Sequence, residues 1–128
     1  TADVKAAEKI LGGVGKTVVM KEARIDAVTA VSGSGPAYVF YFVECFLKAA
    51  EKVGFDQKTA RLLVKETLSG SVDLLLSQDE EAGVLRQRVT SKGGTTQAAL
   101  DEFLQADVEA TFVKALQAAK KRAGELAK

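Results

Sequence analysis

Ser32-Gly33-Ser34-Gly35-Pro36-Ala37-Tyr38-Val39-Phe40-Tyr41-Phe42-Val43 decides how this chain folds. Gly-Ser-Gly-Pro opens a helix, and Pro36 falls in the first turn, where a missing N–H costs little. Behind it, Ala37 to Val43 is apolar almost all round, so a helix here asks for burial on every side. Polar residues begin only at Glu44, Lys48, Glu51 and Lys52, which form a stripe, and Gly54 ends the helix.

The next helix is of the same kind. Asp56 is its expected N-cap, with Phe55 before it as a staple. Arg61, Lys65, Ser69 and Asp73 recur every fourth residue on one face, while Leu62, Leu63, Val64, Leu68, Val72, Leu75 and Leu76 fill the rest. That polar stripe is narrow for a helix on the surface of a small monomer. Two helices this apolar exceed what one small bundle buries, and a large interface between copies explains them economically. A monomeric bundle around a buried central hairpin is the alternative.

Further along, helical patterns cover Ala82 to Val89, Gln97 to Gln105 and Val108 to Leu126. In the last, Phe112, Leu116, Ala119, Ala123 and Leu126 share a face. Towards the N-terminus, a short helix from Ala2 to Leu11 ends at Gly12-Gly13. Lys16 to Met20 is β-branched and compact, the one plausible strand. A lone strand cannot satisfy its own ladder, so it needs a partner outside this chain or in another copy of it. From Ala30 onward everything reads helical, and the expected fold class is all-α.

Composition narrows the chemistry. The 128 residues suit one core of ordinary size, with 47% hydrophobic and 27% charged residues. Eighteen basic and seventeen acidic side chains leave a net charge of +1, which argues against nucleic acid or an anionic membrane surface as partner. One cysteine and no histidine exclude an intrachain disulfide, His-Cys metal clusters and imidazole-based triads. Cys45 lies in an apolar helical run and reads as a structural thiol. A reducing, cytoplasmic setting fits this usage. No signal peptide and no membrane-spanning run are visible.

Thr90-Ser91-Lys92-Gly93-Gly94-Thr95-Thr96 is the richest stretch chemically, with two adjacent glycines, four hydroxyls and a helical pattern directly after. Glycines let the backbone turn its N–H groups inward, and hydroxyls donate without adding charge. A helix N-terminus after such a turn binds carboxylate or phosphate. On these residues alone, a Ser/Thr-capped helix start after a flexible loop remains the competing reading. Gly33 and Gly35 permit close approach of another backbone or a ligand, but the G-x-G-x-x-G spacing of a dinucleotide fingerprint is missing.

The two motifs, separated by two long apolar helices, together resemble pyrroline-5-carboxylate reductase. Thirteen residues from Asp26 to Tyr38 and seven from Thr90 to Thr96 fall in that family's order and spacing. The likeness covers about Asp26 to Leu126. It implies a helical bundle forming an interlocked homodimer, and leaves larger assemblies of dimers open. Residues 1–25 are then expected to be the last helix and edge strand of a Rossmann domain, and residues 26–128 the dimerisation and substrate-binding domain. The rest of the Rossmann domain, with most of the NADPH or NADH site, is expected to lie outside this chain.

The resemblance also implies an activity, reduction of 1-pyrroline-5-carboxylate to L-proline in proline biosynthesis. Ser91 and the backbone amides of Gly93, Gly94 and Thr95 would hold the substrate carboxylate. Thr96 would be the catalytic hydroxyl beside the imine nitrogen. Ser34, Pro36 and Ala37 would lie near the nicotinamide. No metal is implied. Such a site suits imine reduction, where the cofactor does the hard step and protein groups position and polarise. Free Thr hydroxyls are poor acids, so the proton would come through water or from an already charged iminium. Lys92 stands where many members have Pro, Glu81-Ala82 where His-Pro is frequent, and Gln87 where Asp is frequent. Two other functions fit part of the pattern: a non-catalytic helical dimerisation module, and a related dehydrogenase with another substrate.

Overall fold

The computed structural model describes residues 1–127. The first helix, α1 (Ala2–Leu11), starts at Thr1, whose hydroxyl accepts the Val4 amide at 3.4 Å. It closes where the Gly12 amide reaches the Glu8 carbonyl at 2.8 Å, and it buries no residue. Lys16 to Met20, read as a strand that needs a partner outside this chain or in another copy, forms no strand in the single chain. The reason is physical. A ladder needs a second strand, and the described residues contain none.

Helical structure then starts earlier than the sequence indicates. A 3₁₀ turn at Glu22–Arg24 leads into α2 (Ile25–Val28), a π turn at Thr29–Gly33, and α3 (Gly35–Lys52). The β-branched Val28 and Thr29 disguise this segment, and packing against α7 (Val108–Leu126) holds it helical.

The α3 helix ends in a Schellman motif. Gly54 sits at φ +112°, its amide donates to Glu51 O at 3.1 Å, and the Phe55 amide donates to Ala50 O at 3.2 Å. Asp56 caps α4 (Gln57–Ser77), accepting the Lys58 and Thr59 amides at 2.9 and 3.0 Å and the Thr59 hydroxyl at 2.7 Å. That hydroxyl bond, with the amide bonds behind it, holds the Asp56 carboxyl below its usual 3.8. Where α3 and α4 meet, the small side chains of Ala50 and Ala60 let the helices approach, and Val64 is 1% exposed between them.

Glu80 pairs with Arg88 and ties α5 (Ala82–Arg88) to the segment behind α4. Then come α6 (Thr95–Gln105) and α7, the latter capped by Asp107 in the left-handed region at φ +48°. On the far end of α7, a Cβ at Gly124 would come within 3.0 Å of Asp26 Oδ2, so glycine there lets α7 lie close on α2. Leu116, Ala119 and Ala123 of the expected α7 face are half-buried, while Phe112 and Leu126 remain exposed.

The chain is all-α, but it does not close around a core. Only Ala30, Ala50, Ala60 and Val64 are buried among its hydrophobic residues. The apolar start of α3, expected to be buried on every side, leaves Phe40 70% and Tyr41 67% exposed. A closed monomer of 13.5 kDa would expose about 6,500 Å². The single chain exposes 10851 Å². That excess is more than an obligate dimer removes from each subunit, about 1,000–2,500 Å². Part of it lies elsewhere, on Ile10, Leu11, Val14, Val18 and Val19 at the N-terminal end.

Candidate functional site

The hydroxyl-rich stretch folds as a tight turn that feeds straight into α6. At its start, the Thr90 hydroxyl donates to Arg86 O at 2.6 Å and the Thr90 amide to Gln87 O at 3.1 Å, so the turn hangs from the end of α5. The Gly94 amide then donates to Ser91 O at 3.0 Å, closing a four-residue turn. Gly93, third in that turn, takes φ +72°, the positive value a type II turn demands. A Cβ on Gly94 would collide with the Ser91 hydroxyl and come within 3.2 Å of the Ser91 carbonyl. Both glycines are therefore required by geometry, and the Ser91 hydroxyl lies folded over the mouth of α6.

No side chain caps α6 at Gly94. The first helical bond there is donated by Ala98 to Gly94 O at 3.1 Å, so the amides of Thr95, Thr96 and Gln97 precede the helical ladder. Ser91, Lys92, Gly93, Thr95 and Thr96 are exposed, and Gly94 is half-buried. Lys92 belongs to no ion pair among the described residues. Hydroxyls and forward-pointing amides thus surround a helix start that no side chain caps. That arrangement suits a small carboxylate. It offers no strong acid and no nucleophile, and no three metal-ligating side chains cluster among the described residues.

The second motif begins inside the π turn. Ser34 donates its amide to Thr29 O at 2.9 Å, one residue further back than an α-helix would. Ser34 is half-buried, whereas Pro36 and Ala37 are exposed. A Cβ at Gly35 would meet nothing within 4 Å, and one at Gly33 only Thr29 Cγ2 at 3.6 Å. Among the described residues none makes the close approach that these glycines permit.

Between α3 on one side and α6 and α7 on the other runs an open apolar groove of about 1010 Å³. Ala37 and Tyr38 line it from α3, and Thr90 and Gln97 line it from the two ends of the loop. The groove therefore brings Ala37 together with the flanks of the loop. It does not bring in Ser34, Pro36, Ser91, Gly93, Gly94, Thr95 or Thr96, which lie outside its lining. Among the other lining residues, Tyr38 and Thr90 stood inside the two motifs without a role, and Gln97 stood just beyond the second. Cys45, read as a structural thiol in an apolar helical run, is exposed on the groove wall of the single chain. No helix among the described residues is long and apolar enough to cross a membrane.

Comparison with known proteins gives one consistent result. The family model described as pyrroline-5-carboxylate reductase dimerisation matches residues 22–126. Pyrroline-5-carboxylate reductase of Pseudomonas aeruginosa is 44% identical over 127 residues, which cover 98% of this chain and 46% of that protein. Pyrroline-5-carboxylate reductase 2 of Bacillus subtilis is 39% identical over 124 residues, covering 97% of this chain and 45% of the relative. Among solved structures, a pyrroline-5-carboxylate reductase from Coxiella burnetii superposes with a TM-score of 0.91 at 40% identity, over 100% of this chain and 48% of that one. Plasmodium falciparum pyrroline carboxylate reductase with NADP bound superposes at 0.89 with 30% identity, over 100% of this chain and 52% of its own. The chain spans about half the length of the curated relatives it matches.

Proposed function

Because the chain belongs to the pyrroline-5-carboxylate reductase dimerisation family, we propose that it is the imino-acid-binding part of a reductase. That enzyme turns 1-pyrroline-5-carboxylate into L-proline with NAD(P)H, in the cytoplasm, as a step of proline biosynthesis. The observation that carries this reading is the Ser91–Gly94 turn delivering an uncapped helix start. Residues 26–128 act as the dimerisation and substrate-binding domain, and residues 1–25 belong with the cofactor domain. The family match from residue 22 supports a boundary there.

Each residue of the turn has a task that its chemistry allows. The Gly94 amide, expected to bind the substrate carboxylate, is taken up by Ser91 O and keeps the turn closed. The Ser91 hydroxyl and the amides of Gly93 and Thr95 hold that carboxylate, with the α6 dipole behind them. This anchors the ring at one end. Thr96 presents its hydroxyl to the imine nitrogen, fixing the ring's orientation and passing a proton from water to the product amine. Lys92 points to solvent beside adjacent backbone donors that already suffice.

The residues of the second motif fit one end of a nicotinamide cofactor and no more. Pro36 and Ala37 offer a flat, exposed apolar surface, and Gly35 keeps the backbone beside it open. Ser34 adds a polar edge. No glycine-rich turn after a strand is present among the described residues to hold a pyrophosphate, so the other parts of the cofactor are held elsewhere. When bound, NAD(P)H supplies the hydride for the imine carbon. The work of this chain is to present the imine to it.

Alanine substitutions in the reductase that carries this chain separate these tasks. Ser91→Ala is expected to raise KM for pyrroline-5-carboxylate about tenfold, the loss of one hydrogen bond to a charged group. Thr96→Ala is expected to lower kcat about tenfold or more. Wild-type kinetics in both variants would overturn the reading and leave a dimerisation scaffold.

A further inference from the structure

Tyr38 takes no part in the chemistry above, yet it makes the one side-chain bond that ties α3 to the turn before it. Its hydroxyl donates to Ala30 O at 3.1 Å, eight residues back, across the π turn. In an uninterrupted α-helix the Ala30 carbonyl would accept the Ser34 amide. Here that amide is bonded to Thr29 O at 2.9 Å. The π-paired donor would be the Gly35 amide, which makes no bond to Ala30 O among the described residues, and Pro36 after it has no N–H at all. Ala30 is 2% exposed, so water is a poor substitute partner for its carbonyl. The phenol supplies what the backbone lacks.

From this geometry we infer that the Tyr38 hydroxyl is a latch that holds the π turn and so sets the position of Ser34 to Ala37. The inference rests on the reading of those four residues as the nicotinamide contact. Tyr38 is accordingly a positioning residue, not a catalytic one. It lines the groove wall beside Ala37, and its ring keeps the start of α3 in place. Its hydroxyl decides which way the Ser-Gly-Pro corner faces. π insertions recur at functional sites because they re-aim neighbouring groups, and each needs its displaced carbonyl satisfied.

Tyr38→Phe removes the hydroxyl and keeps the ring, with Tyr41→Phe as the control on the same helix. In the 128-residue chain, amide hydrogen exchange at Ser34 should quicken about fivefold in Tyr38→Phe, the loss of one ordinary hydrogen bond, and stay unchanged in Tyr41→Phe. In the reductase that carries the chain, KM for NAD(P)H should rise by a similar factor, while kcat and KM for the imine stay as in the wild type. Unchanged exchange at Ser34 would overturn the latch. So would a rise in imine KM matching that for the cofactor, which would mark a general loosening. If the wild-type reductase binds NADPH but does not reduce pyrroline-5-carboxylate, the reaction reading fails by itself. The latch is then judged on the NADPH dissociation constant, weakened only in Tyr38→Phe if it holds and equal in all three proteins if it does not.

Discussion

At the scale of single residues, the caps and turns rest on hydrogen bonds whose strength follows charge. Asp56 is the plainest case, an exposed carboxylate taking two amides and one hydroxyl at the start of α4. Because its pKa is lowered below 3.8 in the folded chain, the charged cap contributes stability above that pH and loses it as pH falls through the lowered value. Asp56→Asn, which keeps a neutral cap, should therefore melt a little below the wild type at neutral pH. The gap should close in acid as the Asp56 carboxyl takes up its proton. Thermal melts of both proteins across that range check this, and a gap that persists in acid would show that charge is not the cause. Asp56 and Gly54 were legible in the sequence because a cap and a left-handed glycine act through nearest neighbours. The left-handed Asp107 was not, since its conformation is rare for a residue with a side chain and goes here with a cap bond from the Ala110 amide.

Among elements, α3 and α4 cross closely. Ala60 is fully buried there and Ala50 nearly so. Ala60→Leu should force the helices apart and cost about 1–3 kcal/mol, read as a lower melting temperature. Leu76→Ala, at a site 78% exposed, should leave that crossing intact. The long helices and their limits were readable from periodicity, glycine and proline, signals that sit within each element. The Lys16–Met20 strand was read as needing a partner outside the chain and forms none in the single chain, whereas the helical start at residues 22–29 was not read because it depends on packing against α7. Much of the candidate site was likewise local. The turn at Ser91–Gly94 and the helix start follow from adjacent residues, whereas the groove that joins Ala37 to Thr90 and Gln97 depends on how three helices pack.

For the molecule as a whole, surface area is decisive. One chain exposes 10851 Å², and a closed monomer of this mass would expose about 6,500 Å². The apolar groove and the bare faces of α3 and α4 lie uncovered in one chain, and the chain belongs to a dimerisation family. Sedimentation of the purified chain should give twice the 13.5 kDa of one copy, with little dependence on salt because the faces are apolar. Phe40→Lys should shift it to the single mass, and a wild-type monomer would contradict the account. The dimer by itself should not oxidise NADPH, because these residues fit only one end of the cofactor.

The central claim is that the turn before α6 grips the carboxylate of a cyclic imino acid. Titrating L-proline into the ¹⁵N-labelled dimer tests it most directly, since the ligand is read at the atoms said to hold it. Saturable shifts confined to the amides of Ser91 to Thr96, with an affinity about tenfold weaker in Ser91→Ala, are the predicted result. Amides that stay fixed at millimolar L-proline, or that move elsewhere in the chain, would contradict it.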